Sequence, residues 1–243
     1  MCQLSDKIAI ITGAGTGIGK GIARAFAREG ASLVLASRKK ENLEQTEQEL
    51  AATGVQILVV PTDVTDENDV VSLFKRTMDE FGRVDILINN SGTFDGGPLD
   101  ELSLGIWQKV LAVNLTGPFL CGREAMKVMK LQGGGRIINI GSISAQMCRP
   151  NAAPYNTTKH GLVGLTKSMA LEGRDHNIVA SMLHPGNVLT ERRAATDRPQ
   201  DEEPMMTVDE LAEVAVTMCA LPLHVNVLEA IVLPTTQKYL GRG

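Results

Sequence analysis

The sequence predicts an α/β fold in one domain, a parallel sheet of about seven strands covered by helices on both faces. Three observations predict it. Short apolar and β-branched runs alternate along the chain with longer segments of helical period. These runs are continuously apolar, which means that both faces of each strand are buried. A cluster of glycines follows the first run and opens the first helical segment. At 243 residues, with 43% hydrophobic side chains, there is material for one large core. No repeat or linker divides the chain, so 1–243 is read as a single domain.

Ile8–Thr12 (Ile-Ala-Ile-Ile-Thr) is the first strand, and Gly17–Gly30 the helix after it. Leu33–Ala36 is followed by a charged helical segment, Lys40–Thr53, and Gln56–Pro61 by Glu67–Phe81. Asp85–Asn89 precedes a long amphipathic stretch, Ser103–Leu131. Arg136–Gly141 precedes Ala153–Arg174, and Ile178–Leu183 is the sixth strand. Val208–Leu221 and the strand Glu229–Leu233 close the pattern. Right-handed crossovers make such a chain a doubly wound, Rossmann-type sheet, with ligands at the carboxyl ends of the strands. The one long irregular stretch is Asn187–Met206, rich in charge and carrying Pro199 and Pro204. It follows a strand whose end faces the ligand, so it is read as a lid over 187–206.

Bulk charge narrows the function. A net charge of −4 argues against a nucleic-acid partner. Cys2, Cys121, Cys148 and Cys219 are scattered with no C-x-x-C pair, which suits reduced thiols in the cytoplasm and offers no metal site. No apolar stretch approaches the ~20 residues that span a bilayer, and the amino terminus lacks a signal-peptide pattern.

The chemistry starts at the glycines. Gly13, Gly17 and Gly19 let the backbone turn sharply and approach a pyrophosphate, whose charge then meets a helix amino terminus. Their spacing, T-G-x-x-x-G-x-G, is one residue wider than the usual dinucleotide fingerprint. At the end of the second strand an NAD-selective site presents an acid, and here stands Ser37. Arg38 beside it offers a planar donor fork for a 2′-phosphate, so NADPH is expected over NADH. Asp63 ends the third strand and Asn89-Asn90-Ser91-Gly92 the fourth, where they either line the cofactor or form ordinary turns.

Tyr155 and Lys159 are one helical turn apart, thirteen residues after Ser142. At its ordinary pKa of ~10 a phenol is a poor acid–base catalyst near neutrality. An ammonium ~4 Å from a phenolate, at an effective dielectric of ~20, stabilises it by roughly 4 kcal/mol. That is enough to make the pair a proton donor. Asn114 stands in Asn114-Leu-Thr-Gly-Pro118, and a proline within a helix removes the bond to the carbonyl four residues earlier. Pro118 is therefore expected to free the Asn114 carbonyl.

Together these motifs resemble those of the short-chain dehydrogenases/reductases of about 250 residues. They comprise T-G-x-x-x-G-I-G at Thr12–Gly19, N-N-S-G at Asn89–Gly92, Asn114, Ser142, Y-x-x-x-K at Tyr155–Lys159, and Pro185-Gly186. The likeness runs from Lys7 to the last strand. It implies a ketone–alcohol interconversion with a nicotinamide cofactor. Tyr155 would be the acid or base, and Lys159 would assist it and hold the nicotinamide ribose. Ser142, or alternatively Ser144, would bond the substrate oxygen, and the Asn114 carbonyl would hold a relay water. It also implies cofactor contacts from Thr16, Ile18, Val64, Asn90, Ser91, Gly92, Pro185, Gly186, Val188 and Thr190. His184, at a strand end beside proline, reads as structural.

The substrate pocket is expected from Thr93–Pro98, Ile143–Ala153 and the lid, whose Phe94, Met147, Arg149 and Arg192 suit a partly apolar carbonyl compound, 3-oxoacyl or another small one. Relatives pack as dimers or tetramers through the fourth and fifth helices. In the fifth, Leu162, Leu165, Thr166, Met169 and Ala170 form a stripe that serves either core or interface. The alternative functions are a nucleotide-sensing regulator without turnover, which needs no complete catalytic set, and a sugar-nucleotide epimerase, which needs a larger carboxyl-terminal domain.

Overall fold

Apolar residues at successive positions give each strand two buried faces, and the sheet places them accordingly. The computed structural model describes residues 2–195 and 203–238. Seven strands form one parallel sheet: β1 (Ile8–Thr12), β2 (Ser32–Ser37), β3 (Ile57–Pro61), β4 (Ile86–Asn89), β5 (Gly135–Ile140), β6 (Ile178–Pro185) and β9 (Glu229–Val232). Their order is β3-β2-β1-β4-β5-β6-β9. The order reverses between β1 and β4, and the crevice there is where an open α/β sheet binds its ligand.

Along β1, Ala9 and Ile11 enter one core and Ile8 and Ile10 the other. The first core is closed by α1 (Gly17–Arg28), α2 (Lys40–Leu50) and α8 (Val208–Ala220) through Ile22, Phe26, Leu43 and Leu211. The second is closed by α3 (Glu67–Phe81), α5 (Gly117–Gln132) and α6 (Ala153–Gly173) through Val70, Phe74, Leu120 and Met169. At about 25 cal/mol per Å² of apolar surface, each fully buried Ile or Phe contributes about 1.5–3 kcal/mol. This two-sided burial is what holds the strand ends in register.

Two expectations change. The stretch expected as one helix over Ser103–Leu131 is α4 (Leu104–Leu111), a π turn (Ala112–Thr116) and α5. Pro118 has no N–H to give, and the turn before it widens, with the Gly117 N–H reaching back five residues to the Ala112 carbonyl. Within the supposed irregular stretch lie β7 (Val188–Leu189), α7 (Glu191–Ala194) and β8 (Met206–Thr207), β7 pairing with β8. The segment 196–202 of the expected lid lies outside the described residues. In the stripe on α6, Leu162, Thr166 and Met169 are buried, and Leu165 and Ala170 are half-buried at the edge of the second core.

Candidate active site

The turn after β1 is built for close approach. Gly13 and Gly17 have φ of +66° and +55°, which disfavour any side chain, and a Cβ at Gly13 would lie 2.8 Å from Asn90 Nδ2. A Cβ at Gly19 would collide with the Gly13 carbonyl. Asn90, expected as a cofactor contact, has its amide on protein: Nδ2 donates to the Thr12 carbonyl at 3.0 Å and the Gly13 carbonyl at 3.2 Å. Thr12 Oγ1 accepts from the Asn90 and Ser91 N–H groups, both at 3.0 Å. The β1 and β4 turns are thus one unit, with Gly92 beside Asn114 Oδ1.

Thr16 caps α1 without a side-chain hydrogen bond, and the first turn of α1 contains no acid. The Gly17 N–H instead donates to Glu191 Oε2 at 2.8 Å. A carboxylate from 174 residues away stands at a positive helix end. Sequence reasoning missed it, because nothing local links the two positions. Thr190 packs its methyl over Gly17, while its hydroxyl caps α7 by accepting from the Arg193 N–H at 3.3 Å.

At the end of β2, the Ser37 hydroxyl donates to the Lys39 carbonyl at 3.4 Å, and Arg38 is exposed. Asp63 Oδ1 accepts from the Thr65 N–H at 3.0 Å and the Thr65 hydroxyl at 2.8 Å, so one carboxylate oxygen is committed to its own turn. Partial burial pushes the Asp63 carboxyl up. The Thr65 hydrogen bonds and the Arg38 charge outweigh that and leave it below its ordinary value. Val64 is buried under Gly117.

The third group lies past β5. Helix α6 carries Tyr155 and Lys159 on one face, with Lys159 Nζ 5.6 Å from the centre of the Tyr155 ring. That ammonium is buried and donates to the Ile140 carbonyl at 2.8 Å. Burial pushes the Lys159 pKa down, opposed by the charge of a Tyr155 phenolate. Ser142 is buried at the start of a 3-10 turn (Ile143–Ala145), and its Oγ accepts from the Ser144 N–H at 3.1 Å. Ser144 is fully buried, and its hydroxyl has no hydrogen-bond partner among the described residues.

Asn114 does not face water. Its Oδ1 accepts from the Thr93 N–H at 2.8 Å, and its Nδ2 donates to the Thr93 carbonyl at 2.9 Å and the Thr158 hydroxyl at 3.4 Å. It therefore pins the β4 loop to α6. Phe94, next in that loop, meets the Tyr155 ring edge-on with centroids 5.1 Å apart.

On β6, His184 is fully buried with Nδ1 3.0 Å from the Ser142 carbonyl, in keeping with a structural role. After it, Pro185-Gly186 leads to Asn187, whose N–H donates to Gln237 Oε1 at 2.8 Å. A Cβ at Gly186 would collide with that same amide oxygen. Val188 is buried in β7. Gln237 and Glu229 are contacts that sequence reasoning missed, because the carboxyl-terminal strand lacks the family's usual glycine pair and gave no motif to follow.

Among the described residues, no helix is long and apolar enough to cross a membrane, and no group of three His, Cys, Asp or Glu could hold a metal. The thiols of Cys121 and Cys219 are pushed up to about 12 by burial.

Residues 7–201 match the family model of the short chain dehydrogenases. An uncharacterized oxidoreductase of Bacillus subtilis, YxjF, is 40% identical over 185 residues, covering 76% of this chain and 72% of the relative. A short-chain type dehydrogenase/reductase from Mycobacterium marinum superposes with a TM-score of 0.88 at 31% identity, over 94% of each chain. A 3-ketoacyl-(acyl-carrier-protein) reductase from Brucella melitensis, solved with NADH, gives 0.86 at 30% identity, over 95% of this chain and 98% of that one. Glycine turn, tyrosine–lysine pair, sheet order and relatives agree, and the chain belongs to the short-chain dehydrogenase/reductase family of oxidoreductases.

Proposed function

We propose that this oxidoreductase interconverts a secondary alcohol and a ketone with NADP(H), on a 3-oxoacyl-type or other small carbonyl substrate. The observation that carries the reading is the placement of Tyr155 and Lys159 on α6 against the end of β5, with Ser142 two residues beyond the carbonyl that Lys159 holds. The glycine turn, with no room for side chains and its first N–H groups at a helix end, fits a pyrophosphate.

When bound, the nicotinamide supplies or takes up the hydride. Ser142 donates its O–H to the substrate oxygen and steadies the charge that develops there. Tyr155 passes its phenolic proton to that oxygen in reduction and receives one in oxidation. Lys159, fixed by Ile140, stabilises the phenolate that remains and reaches the ribose. The backbone carbonyl of Asn114 anchors the proton's path to solvent, while its side chain keeps the Thr93 loop in place. Gly13, Thr16, Gly17, Ile18 and Gly19 would hold the pyrophosphate, Asp63 and Val64 the adenine, Asn90, Ser91 and Gly92 the cofactor's inner face, and Pro185, Gly186, Val188 and Thr190 the nicotinamide end. Tyr155→Phe tests this: NADPH-dependent reduction of a ketone panel should fall by about 100-fold or more while cofactor affinity stays unchanged. A variant that keeps full turnover, or a wild-type chain that binds NADPH and reduces nothing, sinks the reading in favour of a nucleotide sensor.

The choice of NADP rests on Ser37 in the acid's place and on Arg38, an exposed guanidinium whose charge falls on Asp63. Arg38→Asp should move the kcat/KM ratio of NADPH to NADH by about tenfold or more toward NADH. An unchanged ratio removes Arg38 from the cofactor site. The oxoacyl class rests on the Brucella reductase, and Phe94 and Met147, both partly exposed, suit its apolar chain. We place the enzyme in the cytoplasm on its unpaired cysteines, as one domain with a lid over 187–206. We also propose a dimer or tetramer through α5 and α6, where a 260 Å³ groove has Phe119, Met126, Leu165 and Met169 in its lining beside the charged Arg123, Lys127, Lys130 and Glu172. A 26 kDa species alone in light scattering would refute it.

A further inference from the structure

We infer that His184 is a positioning residue for Ser142, its ring Nδ1–H holding the serine's own carbonyl and thereby setting where the hydroxyl points. This rests on the proposed role of Ser142 at the substrate oxygen.

The segment Ile140-Gly141-Ser142 leaves the end of β5 and is held twice. Lys159 Nζ bonds the Ile140 carbonyl at 2.8 Å, and His184 Nδ1 lies 3.0 Å from the Ser142 carbonyl and within 3.4 Å of the Ser142 N–H, which points at it as a donor. Between them, Gly141 yields its side chain to the imidazole: a Cβ there would lie 2.5 Å from His184 Nδ1. The ring touches no side-chain atom of Ser142 in these contacts. It acts through the backbone that carries the hydroxyl.

A neutral imidazole has one N–H to place. Burial pushes His184 below its ordinary value, opposed by the Ser142 carbonyl and by Glu229 and aided by Lys159, so the ring is neutral near pH 7. On Nδ1 the proton meets the Ser142 carbonyl at hydrogen-bond distance. On Nε2 it would face Glu229 Oε2 across 3.5 Å, too far for a good hydrogen bond. Nε2 has no hydrogen-bond partner among the described residues. Glu229 is tied elsewhere, to Lys167 Nζ at 2.8 Å and Gln146 Nε2 at 3.4 Å. The Nε2–H tautomer would instead let Nδ1 accept from the Ser142 N–H at 3.4 Å, but both of its contacts are long beside the 3.0 Å to the Ser142 carbonyl, and the geometry favours the Nδ1–H tautomer, the one that clamps the serine.

Two amide side chains separate the ring's nitrogens. Asn can present an N–H where Nδ1 stands, and Gln where Nε2 stands. With a ketone that the wild type reduces, His184→Asn should keep kcat within about threefold, while His184→Gln should lose about tenfold or more, since small misplacements of reacting groups are costly. Cofactor affinity should be the same in both. Equal kcat in the two variants, the reverse order, or a loss that tracks weakened cofactor binding would each overturn the inference. Nitrogen-15 NMR of the wild-type imidazoles at neutral pH needs no variant to fold and no substrate. It should show the His184 proton on Nδ1, and a proton on Nε2 would overturn the assignment. Ser142→Ala with undiminished kcat would instead remove the parent reading and leave the NMR result standing.

Discussion

At the scale of single residues, the most consequential contact is one that no local pattern announces. Glu191 Oε2 takes the Gly17 N–H at 2.8 Å, at the end of α1 where a pyrophosphate is expected. A carboxylate and a phosphate oxygen cannot both take that N–H, so the contact and the cofactor compete. Removing the charge should weaken the competitor and leave the cradle intact. Glu191→Gln is therefore expected to tighten NADPH binding about three- to tenfold, worth roughly 1 kcal/mol. Fluorescence titration checks this, and a weaker affinity would mean that Glu191 works within the cofactor complex instead. The residues that sequence could name were those with a local signature: glycines at a βα turn, and a tyrosine and lysine one helical turn apart. Glu191, Gln237 and the His184–Glu229 approach join positions tens to hundreds of residues apart, and one sequence carries no record of such pairs.

At the scale of elements, the strands were legible because two-sided burial forces continuous apolar runs, and each expected strand is present within two residues at either end. The divided helix was not. Apolar periodicity continues through Ala112–Thr116, and a π turn inserts one residue without breaking the stripe for long. Only Pro118 marked the place. β7 and β8, two residues each, are too short to show a period. The glycine after the π turn decides a measurable quantity. Gly117 has helical φ of −56°, so alanine would gain about 0.5–1 kcal/mol of helix propensity there. A Cβ, however, would stand 2.8 Å from Val64 Cγ2 and 3.2 Å from the Val64 carbonyl, and such overpacking costs about 1–3 kcal/mol. The collision wins, and Gly117→Ala should lower stability by about 1 kcal/mol or more. Gly105 in α4 is exposed and has only the Ser103 hydroxyl at 4.0 Å, so Gly105→Ala should raise stability by about 0.5 kcal/mol. Urea denaturation of the two variants decides the matter. Opposite signs support the packing of α5 on the β3–α3 turn, and equal gains refute it.

At the scale of the whole molecule, the sheet brings two buried titratable groups, Lys159 and His184, to the end where the chemistry is proposed, and that arrangement sets how stability responds to pH. His184 is neutral when folded because burial lowers its pKa from 6.5. Below 6.5 the unfolded chain therefore binds a proton that the folded one resists. Stability must rise with pH through that window and fall as pH drops toward the folded value, by at most about 1.4 kcal/mol per pH unit from one group. Asp63 and Glu229 also lose stabilisation in acid, but their pKa values are lowered from 3.8 and 4.5, so their effect belongs to a more acidic window. Lys159 acts in the alkaline range: its pKa is lowered from 10.5, and the cost of burying its charge is relieved as pH rises toward that value. Between pH 5 and 6.5 the slope is consequently dominated by His184. Urea unfolding at several pH values should show wild-type stability climbing relative to His184→Asn across this range. Parallel curves for the two chains would mean that His184 binds its proton equally in the folded and unfolded protein, and a falling relative stability would mean that the folded ring stays charged. In either case burial would not hold the imidazole neutral, and the one-proton choice that clamps the Ser142 carbonyl would lose its basis.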